Sequence, residues 1–312
     1  MLIQRDLPSP DTMHRAMNAA GGLYVVPRAT DPEQVRAEIL ARGIRALEVE
    51  SGTSLQFVRD LPIEFLIVGD TESAAPIGTL RELRGLHVGS WDGELDFDAL
   101  PLLEWFGTTE LQPGRLEPLT ARDRPHLHHL AVGRYRSADA TPLGSLVHLT
   151  HVAIGDSRTF SSLDGLNKLT ALRHISLYRC PRLESLAGME EVARLQHIEI
   201  ESCNRITDLS PLARLPELRS IRLEMRNPPS VKPLVGHPGL EYLWIVTTRR
   251  PAPGMVEELL TSPRLRFVAV GKSCWIRHES EWDHVPDIYA MSSAQSGVHR
   301  QLVVEWNASA AW

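Results

Sequence analysis

The chain has 312 residues, 43% of them hydrophobic, and a formal net charge of −6 at pH 7. A chain of this length usually divides into several domains, unless it is built from repeats that contact only their neighbours. The acidic balance and the lack of a basic stripe argue against a nucleic-acid partner. No run of about 18 uncharged apolar residues is present, which argues against a membrane partner. The first residues also lack the pattern of a signal peptide, so we expect a cytoplasmic protein.

Two elements are predicted at the front of the chain. The apolar run 23–26 is typical of a strand. A helix is then predicted to begin after Asp31, a capping residue that is followed by Pro32 and Glu33. It is predicted to end at Gly43, because glycine readily adopts the left-handed conformation that terminates a helix.

A repeat follows these elements. Residues 166–177, 189–200 and 212–223 can be laid over one another, because in each stretch apolar residues recur every third position and then alternate. A spacing of three suits a short helix or turn, and a spacing of two suits a strand. The last residue of the alternating pair recurs at intervals of 19 to 25 residues, which predicts eleven strands. These residues are Val49, Val68, Val88, Thr108, Val132, Ile154, Leu177, Ile200, Leu223, Ile245 and Val270.

This repeat resembles the L-x-x-L-x-L pattern of the leucine-rich-repeat proteins. Cys180 and Cys203 each follow a strand by three residues, at a turn position where that family often carries Asn or Cys. The segment that begins at Cys203 is similar to the cysteine-containing and phosphatase-regulator-like bacterial types. The resemblance covers residues 44–272. It implies an irregular α/β solenoid of horseshoe shape, with one curved parallel sheet of about eleven strands on the concave face and short helices or 3-10 turns on the convex face.

The remaining segments are interpreted as caps and an insertion. Solenoids need their end repeats covered, so residues 1–43 are predicted to form an N-terminal cap and residues 273–312 a C-terminal cap. Within the second half, we expect a helix at 255–260 and a closing strand at 301–306, whereas 275–300 shows no clear period. The Pro- and Arg-rich run 112–125 is predicted to be a loop inserted into one repeat.

The residues around each alternating pair are predicted to form three columns on the concave face, with neighbours about 4.8 Å apart. The first column is Ala46, Phe65, Gly85, Trp105, His129, His151, His174, His197, Ser220, Tyr242 and Phe267. The second is Glu48, Ile67, His87, Gly107, Ala131, Ala153, Ser176, Glu199, Arg222, Trp244 and Ala269. The third is Glu50, Gly69, Gly89, Thr109, Gly133, Gly155, Tyr178, Glu201, Glu224, Val246 and Gly271.

These columns predict a protein-binding surface, because exposed aromatic side chains supply affinity and charges supply orientation. Small residues beside the four consecutive histidines would leave a trough, and three glutamates would make its C-terminal half acidic. Duplication of repeats could also produce such a histidine column, and the loop 110–126 is a competing site. The candidate contact residues are Trp105, His129, His151, His174, His197, Tyr178, Glu199, Glu201, Arg222, Glu224, Tyr242 and Trp244.

Metal binding and catalysis were weighed as alternatives. His174, His197 and Glu199 on adjacent strands could share a zinc ion, and His126, His128, His129, His148 and His151 form a second dense group. No H-x-x-x-H, H-E-x-x-H or C-x-x-C spacing accompanies them. No nucleophile or nucleotide-binding motif occurs either, so no enzyme activity, cofactor or metal is expected.

The sequence therefore predicts a non-enzymatic module that binds a partner protein or peptide and is a monomer until it does so. By analogy with the family, a toxin-neutralising immunity protein or an adaptor is favoured, since an acidic groove would suit a basic partner. Two alternatives stay open: a scaffold subunit that presents a peptide substrate to a separate enzyme, and a metal- or ligand-binding protein that uses the histidine column.

Overall fold

The computed structural model describes residues 17, 21–28, 31–247, 256–271, 273–277 and 282–286. These residues fall into two compact units. Unit 1 contains the described residues up to Arg136 together with 145–154, and unit 2 contains 137–144 and the described residues from Gly155 onward.

Unit 1 carries the strands of the first repeats. Neighbouring strands β1 to β6 pair in parallel and follow chain order, and β7 lies next to β6. The strands are β1 (Leu23–Val26), β2 (Ala46–Val49), β3 (Phe65–Val68), β4 (Gly85–Val88), β5 (Trp105–Thr108), β6 (His129–Gly133) and β7 (His151–Gly155).

Unit 2 continues the same pattern and ends differently. Strands β8 to β12 pair in parallel in chain order, whereas β13 and β14 add an antiparallel hairpin. The strands are β8 (His174–Tyr178), β9 (His197–Glu201), β10 (Ser220–Glu224), β11 (Tyr242–Val246), β12 (Phe267–Val270), β13 (Ser273–Arg277) and β14 (Trp282–Pro286). The eleven predicted repeat strands, β2 to β12, are confirmed.

Most repeats cross from the strand to a short 3-10 helix and back, and the repeat of β5 has the short α-helix Glu117–Thr120 in its place. The apolar pair of each strand, such as Ile175 and Leu177 in β8, is buried at 0% and 1% exposure, so the core of each unit lies between the sheet and these helices. The helices span Leu55–Val58, Ile77–Thr79, Phe97–Ala99, Thr141–Leu143, Leu166–Lys168, Met189–Glu191, Leu212–Arg214, Lys232–Leu234 and Leu259–Thr261.

A serine or aspartate precedes most of these helices, a repeated feature that was not predicted from the sequence. In the two best examples the Asp139 carboxylate accepts a hydrogen bond from the Thr141 amide at 2.9 Å, and Asp208 does so from Ser210 at 2.9 Å. Such short side chains mimic a backbone turn and satisfy an amide at the start of the helix or in the turn that leads into it. Equivalent bonds are made by Ser54, Ser73, Asp96, Ser162, Ser185 and Ser230.

The predicted front elements are confirmed. Helix α1 (Pro32–Arg42) begins after Asp31, whose carboxylate accepts from the Glu33 amide at 3.0 Å, and ends at Gly43 with φ of 62°. The insertion 112–125 is irregular except for the short helix α2 (Glu117–Thr120). None of the described helices is long and apolar enough to cross a bilayer.

The back of the chain departs from the sequence-based expectation. The predicted helix at 255–260 is wrong: the described part is a turn that leads into the 3-10 helix Leu259–Thr261. Part of the aperiodic stretch 275–300 lies in β13 and β14. These two strands pair antiparallel and do not continue the repeat, so the repeat period did not predict them. The predicted strand 301–306 lies outside the described residues, and the three-part division into caps and repeats stays a prediction.

Candidate functional site

Strand pairing confirms the register of the first two predicted columns in each unit, and in unit 2 that of the third column over Tyr178, Glu201, Glu224 and Val246. In unit 1, Ala46, Phe65, Gly85, Trp105 and His129 lie opposite one another in turn. In unit 2, the same holds for His174, His197, Ser220, Tyr242 and Phe267. We call the sheet surface that bears the columns the column face.

The first column is buried, which contradicts the expectation that its aromatic and imidazole side chains are exposed. Trp105 is 8% exposed, His174 is 6% exposed and Tyr242 is 4% exposed. His129, His151 and His197 are equally covered, at 5%, 2% and 2%. Rings at this position contact the ring at the same position of the next strand, as His174 and His197 do. Each ring therefore shields its neighbour from solvent.

In unit 1, apolar packing extends onto the column face. Phe65 and Trp105 lie with ring centroids 5.8 Å apart and join Ala46 and Ile67 in one buried cluster. Met17, which precedes β1 in the chain, is 1% exposed and belongs to this cluster. Part of the column face of unit 1 is therefore a second hydrophobic core and not a free surface.

Histidine 87 lies on the same face and is 2% exposed. Its Nδ1 has no hydrogen-bond partner in the described part of the chain. A Cβ placed on Gly107 would lie 2.6 Å from this nitrogen, so the glycine provides the space for the imidazole. Burial lowers the pKa of His87 to about 4, which keeps the ring neutral at neutral pH.

The positions around the two neighbouring histidines of unit 1 are also buried. The rings of His129 and His151 stack with centroids 4.2 Å apart, and Trp105 stacks on His129 at 5.4 Å. The neighbouring Ala131 and Ala153 are 1% and 8% exposed. The predicted trough is therefore buried here.

In unit 2, most positions of the second and third columns are half-exposed, with Gly155 and Ala269 as buried exceptions. Six candidate residues share this property, and they combine aromatic, acidic and basic side chains. They are Tyr178, Glu199, Glu201, Arg222, Glu224 and Trp244. This group, which we call the unit 2 face, is the part of the predicted surface that a partner can reach directly.

Hydrogen bonds position the acidic side chains of the unit 2 face. The Ser176 hydroxyl donates to Glu199 Oε2 at 3.4 Å and lies 3.2 Å from Nε2 of the buried His174. Arg222 lies opposite Glu199 in the sheet, but its guanidinium donates to Glu224 at 2.7 Å. The Ser176 hydroxyl therefore positions Glu199, and Arg222, the basic side chain of the face, is directed to Glu224.

The ring of tyrosine 178 packs directly over Gly155. A Cβ added to Gly155 would lie 1.8 Å from Cζ of the Tyr178 ring, so the glycine makes room for the ring. Arg179 follows it, with its guanidinium 5.7 Å from the ring centroid and 2.7 Å from Asp156. Sequence reasoning missed Arg179 and Asp156, whose signal is a pair of opposite charges at equivalent positions of successive repeats.

The histidines weighed as metal ligands do not form a metal site among the described residues, and this includes His174, His197 and Glu199. His197 instead lies 2.6 Å from the Ser220 hydroxyl through Nδ1. In the second histidine group, His148 pairs with Asp123 at 3.3 Å, and His128 Nδ1 lies 3.2 Å from the His148 carbonyl oxygen.

The two repeat cysteines are fully buried thiols. The Cys180 amide donates to Cys203 Sγ at 3.4 Å, and the side chain of Cys203 contacts the Leu177 carbonyl at 3.6 Å. Hydrogen bonding to Cys203, with burial, raises the pKa of the Cys180 thiol. Cys180 is therefore a neutral core residue and not an activated nucleophile.

The inserted loop is the competing site, and a single arginine organises it. Arg124 donates to the carbonyls of Leu119, Pro118 and Phe97 at 2.8, 2.9 and 3.1 Å. It also donates to Asp98 at 3.0 Å. A hollow of about 260 Å³ lies beside it, floored by the buried Leu100 and Leu103.

Replacement of Arg124 by methionine is expected to cost about 2–4 kcal/mol of folding free energy, because three carbonyl contacts and an ion pair are lost together. Arg122 provides the matched control, since it also pairs with Asp98 but its side chain is 71% exposed. Arg122→Met is expected to change stability by less than about 1 kcal/mol. Urea unfolding of both variants would measure the difference, and equal losses would contradict the assigned role of Arg124.

The repeat geometry decides the fold class: parallel strands at L-x-x-L-x-L positions, most of them followed by a turn and a 3-10 helix. The fold is that of a leucine-rich-repeat protein. No protein-family model and no curated protein sequence matches the chain.

Solved structures of leucine-rich-repeat proteins are similar to it. An internalin, InlF, from Listeria monocytogenes matches with 18% identity and a TM-score of 0.47, over 67% of this chain and 62% of the internalin. The chain thus spans less than two thirds of that protein. Internalin C2 from the same organism matches with 18% identity and a TM-score of 0.44, over 71% and 96% of the two chains. A leucine-rich-repeat protein of Leptospira interrogans matches with 14% identity and a TM-score of 0.35, over 74% and 79%.

Proposed function

We propose that this leucine-rich-repeat protein binds another protein through the unit 2 face and performs no catalysis itself. The observation that carries the proposal is the contrast in exposure between the columns. Tyr178 and Trp244 stay half-exposed with charged side chains between them, while the first column is buried. Aromatic anchors surrounded by charge are what protein interfaces use for affinity and orientation.

The biological class of the partner is a finer part of the same proposal. An immunity protein or adaptor that covers a toxin or effector is our preferred role, because the face carries three glutamates and one arginine and so favours a basic partner. A scaffold that presents a peptide substrate would use the same surface. Identification of the retained partner as a toxin or as an enzyme substrate distinguishes the two.

The test is a pull-down from the native organism with the wild-type chain and the Tyr178→Ala/Trp244→Ala variant, followed by mass spectrometry. We expect a partner that the wild type retains and the variant loses, because truncation of aromatic anchors typically costs 2 kcal/mol or more of binding, which is about thirtyfold. Trp105 and Tyr242 are unsuitable for this test, since both are buried and their loss would disturb folding.

A matched control removes one exposed apolar side chain away from the face. Leu102→Ala serves this purpose, because Leu102 is 44% exposed and lies in unit 1. The control should retain the partner. Retention by the Tyr178→Ala/Trp244→Ala variant, with its fold intact by circular dichroism, would refute the assignment of the unit 2 face.

A further inference from the structure

Two carboxylates of the unit 2 face lack a cation. Glu199 accepts a hydrogen bond from the Ser176 hydroxyl at 3.4 Å. Neither Glu199 nor Glu201 has an ion-pair partner within the described residues, and Arg222 is engaged with Glu224 at 2.7 Å. The two glutamates occupy alternate positions of β9, so their side chains leave the same side of the sheet about 7 Å apart.

Neighbouring strands border this pair of carboxylates on both sides. Tyr178 lies opposite Glu201 on β8, and Glu224 lies opposite it on β10. The buried His174 supports the Ser176 hydroxyl that contacts Glu199. The carboxylates are thus held on a strand, and no cation among the described residues pairs with them.

From this geometry we infer that the unit 2 face recognises an arginine side chain of the partner, with its guanidinium placed between Glu199 and Glu201. The inference rests on the proposed function and specifies the chemistry of the partner. A guanidinium is planar and offers five N–H donors, so it can donate to two carboxylates at once. An ammonium group is a point charge with a strongly held hydration shell and fits such a pair less well.

The same arrangement predicts that different side chains of the unit 2 face supply apolar contact and charge. Tyr178 and Trp244 supply apolar contact area, and the Arg222–Glu224 pair leaves the charge of β10 balanced. The net negative charge therefore concentrates at β9. A basic partner would be oriented by that strand, with its arginine opposite Glu199 and Glu201.

The test uses the full chain and a labelled, amidated decapeptide of alternating glycine and arginine, measured by fluorescence anisotropy at low ionic strength. We expect Glu199→Gln/Glu201→Gln to weaken peptide binding by about tenfold or more. The charge-matched control is Glu190→Gln/Glu191→Gln, on a 3-10 helix of the same unit. It should change binding by less than about twofold, which separates a site from general attraction to an acidic protein.

Two further peptides test the guanidinium itself. A glycine–citrulline decapeptide keeps the shape without the charge and should not bind, and a glycine–lysine decapeptide should bind several-fold more weakly. Equal weakening by both double variants, or equal binding of the arginine and lysine peptides, would overturn the inference. If the partner from the pull-down is lost with Tyr178→Ala/Trp244→Ala yet retained with Glu199→Gln/Glu201→Gln, the inference fails while the proposed function stands.

Discussion

Alanine at position 155 is expected to destabilise the protein by about 1–3 kcal/mol and to weaken partner binding, although Gly155 itself is buried. The added Cβ would lie 1.8 Å from Cζ and 1.9 Å from Cε2 of Tyr178, so the ring must leave its place over β7. Its displacement removes an anchor of the unit 2 face and the ring's contact with Arg179. Urea unfolding and the pull-down described above measure the two effects.

A double-mutant cycle shows whether the destabilisation by Gly155→Ala arises from the clash with the Tyr178 ring. In a Tyr178→Ala background, Gly155→Ala should be neutral or slightly stabilising, because the clash is gone and alanine restricts the unfolded chain more than glycine does. Gly133→Ala is the contrasting control, since its Cβ would lie 2.3 Å from the Thr109 carbonyl oxygen. A backbone clash cannot be relieved by trimming a side chain. If Gly155→Ala cost the same in both backgrounds, our account of the ring would be wrong.

The sequence predicted the repeat architecture because apolar residues recur every third position in the turns and every second position in the strands. Strand pairing in each unit reproduces the first two predicted columns, as in His174 opposite His197. A shift of one position would have turned Ile175 and Leu177 to the wrong face, so the apolar pair fixes the register. The end of helix α1 was equally predictable, since Gly43 adopts a φ of 62°.

Exposure within the columns was not predictable from the same pattern. The pattern shows on which face a side chain lies, but not whether another side chain covers it. Met17 reaches the column face from outside the repeats and joins Phe65 and Trp105 there. The large rings of the first column also cover one another, as His129 and His151 do at 4.2 Å. Half of the candidate residues were therefore placed on the right face and with the wrong exposure.

The hydrogen-bond partners of the charged side chains were not predictable from the sequence, for a different reason. Arg222 lies opposite Glu199 and could have bonded to it, yet it donates to Glu224 on its own strand. A long side chain can reach several hydrogen-bond partners, and the strand register alone does not determine which of these bonds forms. The inference about Glu199 and Glu201 depends on that choice.

Histidine 87 gives the expected pH dependence of stability. Its pKa lies at about 4 in the folded protein because burial disfavours the charged ring, against an ordinary value of 6.5. As pH falls below 6.5 the unfolded chain takes up a proton at this site and the folded chain does not, so stability decreases. The decrease continues until pH reaches about 4, where the folded state is also protonated. The total contribution is up to about 3 kcal/mol.

Comparison with a variant isolates this contribution from those of other titrating groups. We expect the free energy of unfolding of the wild type to fall more steeply between pH 6.5 and 4 than that of His87→Met, which keeps a buried side chain of similar size. His126→Gln, which removes an exposed histidine, should follow the wild-type curve. Urea unfolding at half-unit pH steps provides the measurement. Parallel curves for wild type and His87→Met would show that His87 is not held neutral by burial.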